Sequence, residues 1–175
     1  MIDVSREDWD SDLGSVWADK VIDAAIDALD SYPDKRLLIH FLQPHTPFVD
    51  SDFPDDVVES AFEAITTGRI ERESVEQAYL ANLSYVLDYV ESLIKELPNR
   101  TVVSADHGEM LGERAWPVPI RCYGHILGIR TPELTNVPWA VVDGEPREMT
   151  DEGVLEFIPD TDGAVEDRLE ALGYR

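Results

Sequence analysis

Apolar and polar positions alternate along this chain in two different periods, and the periods divide it into helices and strands. From Trp17 to Asp30, Val21, Ile22, Ala25, Ile26 and Leu29 fall on one helical face and aspartates fill the other. Ser31-Tyr32-Pro33-Asp34 ends that helix. RLLIHFL, residues 36–42, is a short continuous apolar run and reads as a buried strand. Pro54-Asp55-Asp56 opens a second helix, with Val57, Val58, Ala61, Phe62 and Ile65 inward and Gly68 just past its end. A longer helix, 73–97, turns Val75, Ala78, Leu83, Val86, Val90, Leu93, Ile94 and Leu97 inward, and Pro98 marks its end. Thr101-Val102-Val103 is a second buried strand, because β-branched residues suit a covered pleated surface. VPWAVV, 137–142, is another, with Pro138 at its beginning or on an edge. Val165, Leu169 and Leu172 align on a closing helix, 161–172, that stops at Gly173. Strands separated by long helices predict a three-layer α/β/α sandwich with a mostly parallel sheet.

A chain of 175 residues suits a single domain, 1–175, with room for a real core. Charge changes the picture more than length does. Thirty-seven acidic residues against 14 basic ones give a formal charge of −23. Such a surface repels polyanions, which excludes nucleic-acid binding through phosphate neutralisation. The apolar fraction of 43% and its periodicity exclude a disordered acidic chain. The remaining reading is a surface solvated for high salt, hence a halophilic source. One cysteine, Cys122, rules out an internal disulfide and fits a reducing compartment. The opening MIDVSREDWDSD has no basic-then-apolar leader, and no window is long and apolar enough to span a bilayer. The expected location is cytoplasmic, with no membrane partner.

Candidate chemistry gathers where strands give way to loops. TVVSADHGEMLGE, 101–113, puts Asp106 and His107 directly after a strand, followed by Gly108, which permits a sharp turn or a close approach. Ligands collect at the carboxyl ends of strands in α/β sheets. One hard oxygen and one imidazole together suit Zn²⁺ or Mn²⁺. Taken alone, the pair is better described as a turn-capping aspartate beside a neighbouring histidine. QPHTPF, 43–48, presents His45 just past a strand end, on a loop that its two prolines hold extended. His40, within its strand, reads as a core histidine. YGHILG, 123–128, places His125 between glycines after a Pro-rich connection through Pro117 and Pro119.

HFLQPHTPF, VVSADHGEMLGE and YGHILGIRTPELTNVPW, in this order, resemble the carboxyl-terminal half of the sulfatase family, in the alkaline phosphatase superfamily. The similarity is greatest to sulfatase-like proteins of halophilic archaea. It runs over about 36–175, and the closing VEDRLEALGYR also resembles the ends of such chains. The resemblance implies a metal-dependent hydrolase of sulfuric or phosphoric esters. It implies that Asp106 and His107 bind a divalent metal (Zn, Mn or Ca), that His45 contacts the ester oxygens, and that His125 lies near the same site. It implies a small-molecule sulfate or phosphate ester as substrate.

The family pattern is not complete. Such enzymes begin with a strand bearing one or two metal-binding aspartates, then a Cys or Ser nucleophile in a Cys/Ser-x-Pro-x-Arg setting. Asp8, Asp10 and Asp12 follow no apolar strand, Cys122 is followed by Tyr-Gly-His, and nothing marks Ser104 or Thr46 as activated. The expectation is a domain without the amino-terminal nucleophile half. It is inactive or weakly active alone and works as a homodimer or beside a sulfatase-like partner. The other expectation is a non-catalytic binding or regulatory remnant, or a partner subunit of a full-length relative.

Overall fold

A computed structural model describes residues 2–11, 13–49, 51–54, 57, 61–117 and 119–151. Near the start, a 3-10 turn, Val4–Arg6, leads into two short paired strands, β1 (Trp9–Asp10) and β2 (Ser15–Val16). Asp10 holds the turn between them: its carboxylate accepts from Leu13 N at 3.0 Å and from Trp17 Nε1 at 2.7 Å. Helix α1 (Ala18–Ser31) follows, with Ala18, Ala25 and Ala28 buried and Asp19, Asp23, Asp27 and Asp30 in solvent. Its first turn is pinned to the long helix, since Ala18 N donates to Tyr85 Oη at 3.4 Å and Trp17 meets the Tyr85 ring edge-on.

Part of the second expected helix is α2 (Ala61–Thr66), with Gly68 beyond its end at φ +69°, where a side chain would be strained. Helix α3 (Arg72–Glu96) buries Val75, Asn82, Val86 and Leu93. Between them lies an aromatic core in which Phe48 packs edge-on against Phe53, Phe62 and Tyr79, over Ala61 and Val75. A second core, of Met110, Ala115, Cys122 and Leu134, lies under a hairpin. That hairpin pairs β4 (Met110–Ala115) with β5 (Ile120–Gly124), with an irregularity in register between Leu111 and Arg114. A short helix, α4 (Pro132–Thr135), leads to β6 (Trp139–Val142), which pairs with β3 (Thr101–Ser104) from Thr101↔Val142 to Ser104↔Trp139.

Mixed α/β content is as the sequence predicts, but the sheet is not. All three ladders among the described residues are antiparallel and two-stranded, where the pattern predicts a mostly parallel sheet. RLLIHFL joins no ladder among them: Leu38 is 97% exposed and His40 also faces solvent, not a core. All four residues of β6 are exposed, although the run is apolar enough for burial. An apolar run shows a demand for cover; whether the same chain provides that cover is decided by tertiary packing. The expected helix 161–172 lies outside the described residues.

One further stretch ties the base of the molecule. Glu145 N donates to Pro98 O at 3.0 Å and its carbonyl accepts from Arg100 N, just ahead of β3. Arg147 donates to the carbonyls of Tyr32 and Pro33, both at 2.7 Å, and Thr150 N donates to Asp34 O at 3.1 Å, just ahead of 36–42. No helix among the described residues is long and apolar enough to cross a membrane.

Candidate functional site

Three separate stretches deliver histidines to one place. The first is the 43–48 loop, which turns back on itself rather than running extended; both of its X–Pro bonds are cis. Its conformation is fixed from below. Gln43 is buried and donates through Nε2 to Val16 O at 3.0 Å. Asn82, fully buried on the inward face of α3, donates through Nδ2 to His45 O at 3.3 Å and accepts from Val49 N at 3.4 Å. A buried amide that finds backbone partners on both sides satisfies itself and the loop together. His45 Nδ1 is hydrogen-bonded to Thr46 O.

The second stretch runs from Asp106 to Met110. Gly108 lies flat against α4: its N–H donates to Leu134 O at 2.9 Å, and a Cβ there would stand 2.0 Å from Glu133 O. The close approach expected of this glycine is made to a helix backbone. His107 and Glu109 both bring ligand atoms to one group, and Asp106 is not part of it. His107 Nδ1 is hydrogen-bonded to Gly108 O at 2.9 Å; a carbonyl only accepts, so Nδ1 carries the proton of that bond. Asp106 is 62% exposed; its carboxylate accepts from His107 N at 2.9 Å and otherwise comes no closer to the His107 ring than 3.9 Å at Nε2.

The third begins where β5 ends at Gly124, which adopts φ +78° with Phe62 packed beside it. His125 follows, with Nδ1 at 3.1 and 3.2 Å from the two carboxylate oxygens of Glu109. The Glu109 side chain is only 6% exposed, and that of His125 19%. A carboxylate so enclosed needs a hydrogen-bonding partner, and His125 provides one. Burial pushes the nearby Tyr79 phenol above its ordinary range, and the Glu109 carboxylate adds to the effect.

The imidazoles of His45 and His125 are 5.3 Å apart between centroids, and those of His125 and His107 are 4.5 Å apart. Ligand atoms of His107, Glu109 and His125 all lie within 4.8 Å of one another. Two nitrogens and a carboxylate oxygen at that spacing fit Zn²⁺ or Mn²⁺, and fit Ca²⁺, which takes oxygens, less well. The structure therefore brings His45, His107 and His125 together and leaves Asp106 at the margin. Glu109, which sequence reasoning passed over, stands inside. Cys122 is 2% exposed in the second core, its Sγ 3.8 Å from Ile120 O. Ser104 donates to Pro138 O at 2.8 Å.

No curated protein and no solved structure matches the chain. The sulfatase family model matches residues 2–143, most of its length, so the chain belongs to the sulfatase family.

Proposed function

We propose that this chain is a metal-dependent sulfuric or phosphoric ester hydrolase module that works only with a second chain. The observation that carries the reading is the meeting of His107, Glu109 and His125 within 4.8 Å, beside His45, in a sulfatase-family chain. His107 and His125, with Asp106 from the margin, would hold a divalent cation (Zn, Mn or Ca). When bound, that cation acts as a Lewis acid on the ester oxygen. Glu109 fixes the orientation of His125 by accepting from Nδ1. His45 contacts the sulfate or phosphate oxygens of the substrate. The substrate is a small-molecule sulfate or phosphate ester.

The nucleophile comes from outside. Cys122 is shut in a core and Ser104 Oγ is turned to a backbone carbonyl, so neither is placed to attack. In this reading the single domain, 1–175, corresponds to the carboxyl-terminal half of a sulfatase. A homodimer or a sulfatase-like partner completes the site and the parallel three-layer sandwich around 36–42. The kinship is haloarchaeal and the setting cytoplasmic and saline. The same buried Cys122 and engaged Ser104 favour the second reading, a non-catalytic binding or regulatory remnant.

Calorimetric titration with Zn²⁺ or Mn²⁺ in molar KCl, with an aryl sulfate and aryl phosphate assay beside it, tests the reading. Wild type binds the metal; His107→Ala and His125→Ala each weaken it by about 10–100-fold, and turnover by the chain alone is at trace level. Equal binding by wild type and both variants overturns the metal site. Brisk turnover without a partner overturns the incomplete-site reading.

A further inference from the structure

The carboxylate inside the histidine cluster is that of Glu109, and its surroundings differ from those of a solvated acid. Its side chain is 6% exposed, against 62% for Asp106, three residues earlier. The backbone on either side of it is fastened: Gly108 N donates to Leu134 O at 2.9 Å, and Met110, fully buried, belongs to the second core. Burying a charge is costly unless it is paired with a cation or coordinates a metal. Among the described residues no lysine or arginine forms an ion pair with Glu109; the group that faces it is the His125 imidazole, at 3.1 Å.

Orienting His125 does not by itself call for a charge, because a neutral amide oxygen also accepts from an imidazole N–H. What a carboxylate adds is an anionic oxygen for a cation. Ligand atoms of His107, Glu109 and His125 lie within 4.8 Å of one another, and Asp106 is not in that group. Ligands about 2.0–2.2 Å from one ion stand within about 4.4 Å of each other, so the three are already near the spacing of a shared shell. We propose that Glu109 is itself a ligand of the cation. It is the interior carboxylate of a shell with two imidazoles, His107 and His125, to which Asp106 adds only from the margin. This deepens the metal reading above and rests on it.

Calorimetric titration of the full chain with Zn²⁺ in molar KCl tests it, with Glu109→Gln as the deciding variant. Glutamine keeps the shape and an oxygen that accepts from His125 Nδ1, and removes only the charge. The variant binds Zn²⁺ about 100-fold more weakly, at or beyond the upper end of what loss of an outer partner costs. It also loses the rise in melting temperature that the ion gives the wild type. Asp106→Asn weakens binding by less than about tenfold. Anomalous scattering from wild-type crystals grown with Zn²⁺ locates the ion whether or not the variant folds, and the ion lies about 2.0–2.2 Å from a Glu109 oxygen. Wild-type affinity in Glu109→Gln overturns the proposal and leaves Glu109 an orienting residue. So does a greater loss in Asp106→Asn, or an ion held by His107 and His125 with Glu109 outside its shell. Those results leave the metal reading standing, whereas a wild type that binds no Zn²⁺ removes both.

Discussion

Asn82 Nδ2 stands 3.3 Å from the carbonyl oxygen of His45, and the same side chain accepts from Val49 N at 3.4 Å. One fully buried amide in the middle of α3 thus sets the loop that carries a histidine of the cluster. Asn82→Leu takes the Asn82 partner away from the buried Val49 N–H and from the partly buried His45 carbonyl. It lowers stability by about 1–3 kcal/mol and displaces the His45 ring. Urea unfolding measures the first effect, and imidazole resonances of the folded protein measure the second. A Leu variant with unchanged His45 signals removes Asn82 from the role of positioning residue.

Gly108→Ala tests how tightly the cluster is braced from behind. A methyl group there meets Glu133 O at 2.0 Å, a backbone atom that cannot rotate away. The chain has to part from α4, breaking the bond from Gly108 N to Leu134 O and shifting His107 and Glu109 together. The cost is about 1–3 kcal/mol, read as a lowered melting temperature in molar KCl. An unchanged melt contradicts the close contact.

The two long helices were legible in the sequence because an amphipathic stripe states both the period and the limits of an element. The predicted 17–30 and 73–97 correspond to Ala18–Ser31 and Arg72–Glu96. The β4–β5 hairpin was not legible. Gly112 at φ +112° and the irregularity between Leu111 and Arg114 break the strict alternation that marks a strand. At the site, the three histidines stand out in the sequence by their loops, but Glu109 is lost among 37 acidic residues. Its signal is position, two residues after His107 in the same loop. Asn82 also left a signal, one polar residue on the inward, largely apolar face of a helix. Asp106 illustrates the converse: it adjoins His107 in sequence, yet its side chain is largely exposed at the margin.

Tyr79 links the aromatic core to the site and gives a pH dependence. Burial, then the Glu109 carboxylate, raises its phenol above the ordinary value of 10.0 in the folded state. The folded chain therefore binds the phenolic proton more tightly than the unfolded one. That contribution is fully present below about pH 10 and is lost as pH rises through the higher folded value. Tyr79→Phe changes stability at neutral pH by no more than about 1 kcal/mol, and it makes the alkaline decline shallower. Thermal melts from neutral pH to pH 11 give the comparison; parallel curves for the two proteins contradict the assignment.

The ties made by Glu145, Arg147 and Thr150 have a bearing on inheritance. They fasten the starts of β3 and of the 36–42 segment, the two stretches whose far ends lead to His107 and His45. All three residues lie past 143, where the sulfatase match stops. The three histidines and the elements that bear them lie inside the matched range, while the brace at the opposite end is written in residues outside it. The alignment of the two segments, and with it the placement of His45 relative to His107, therefore rests on bonds made far from any imidazole of the cluster.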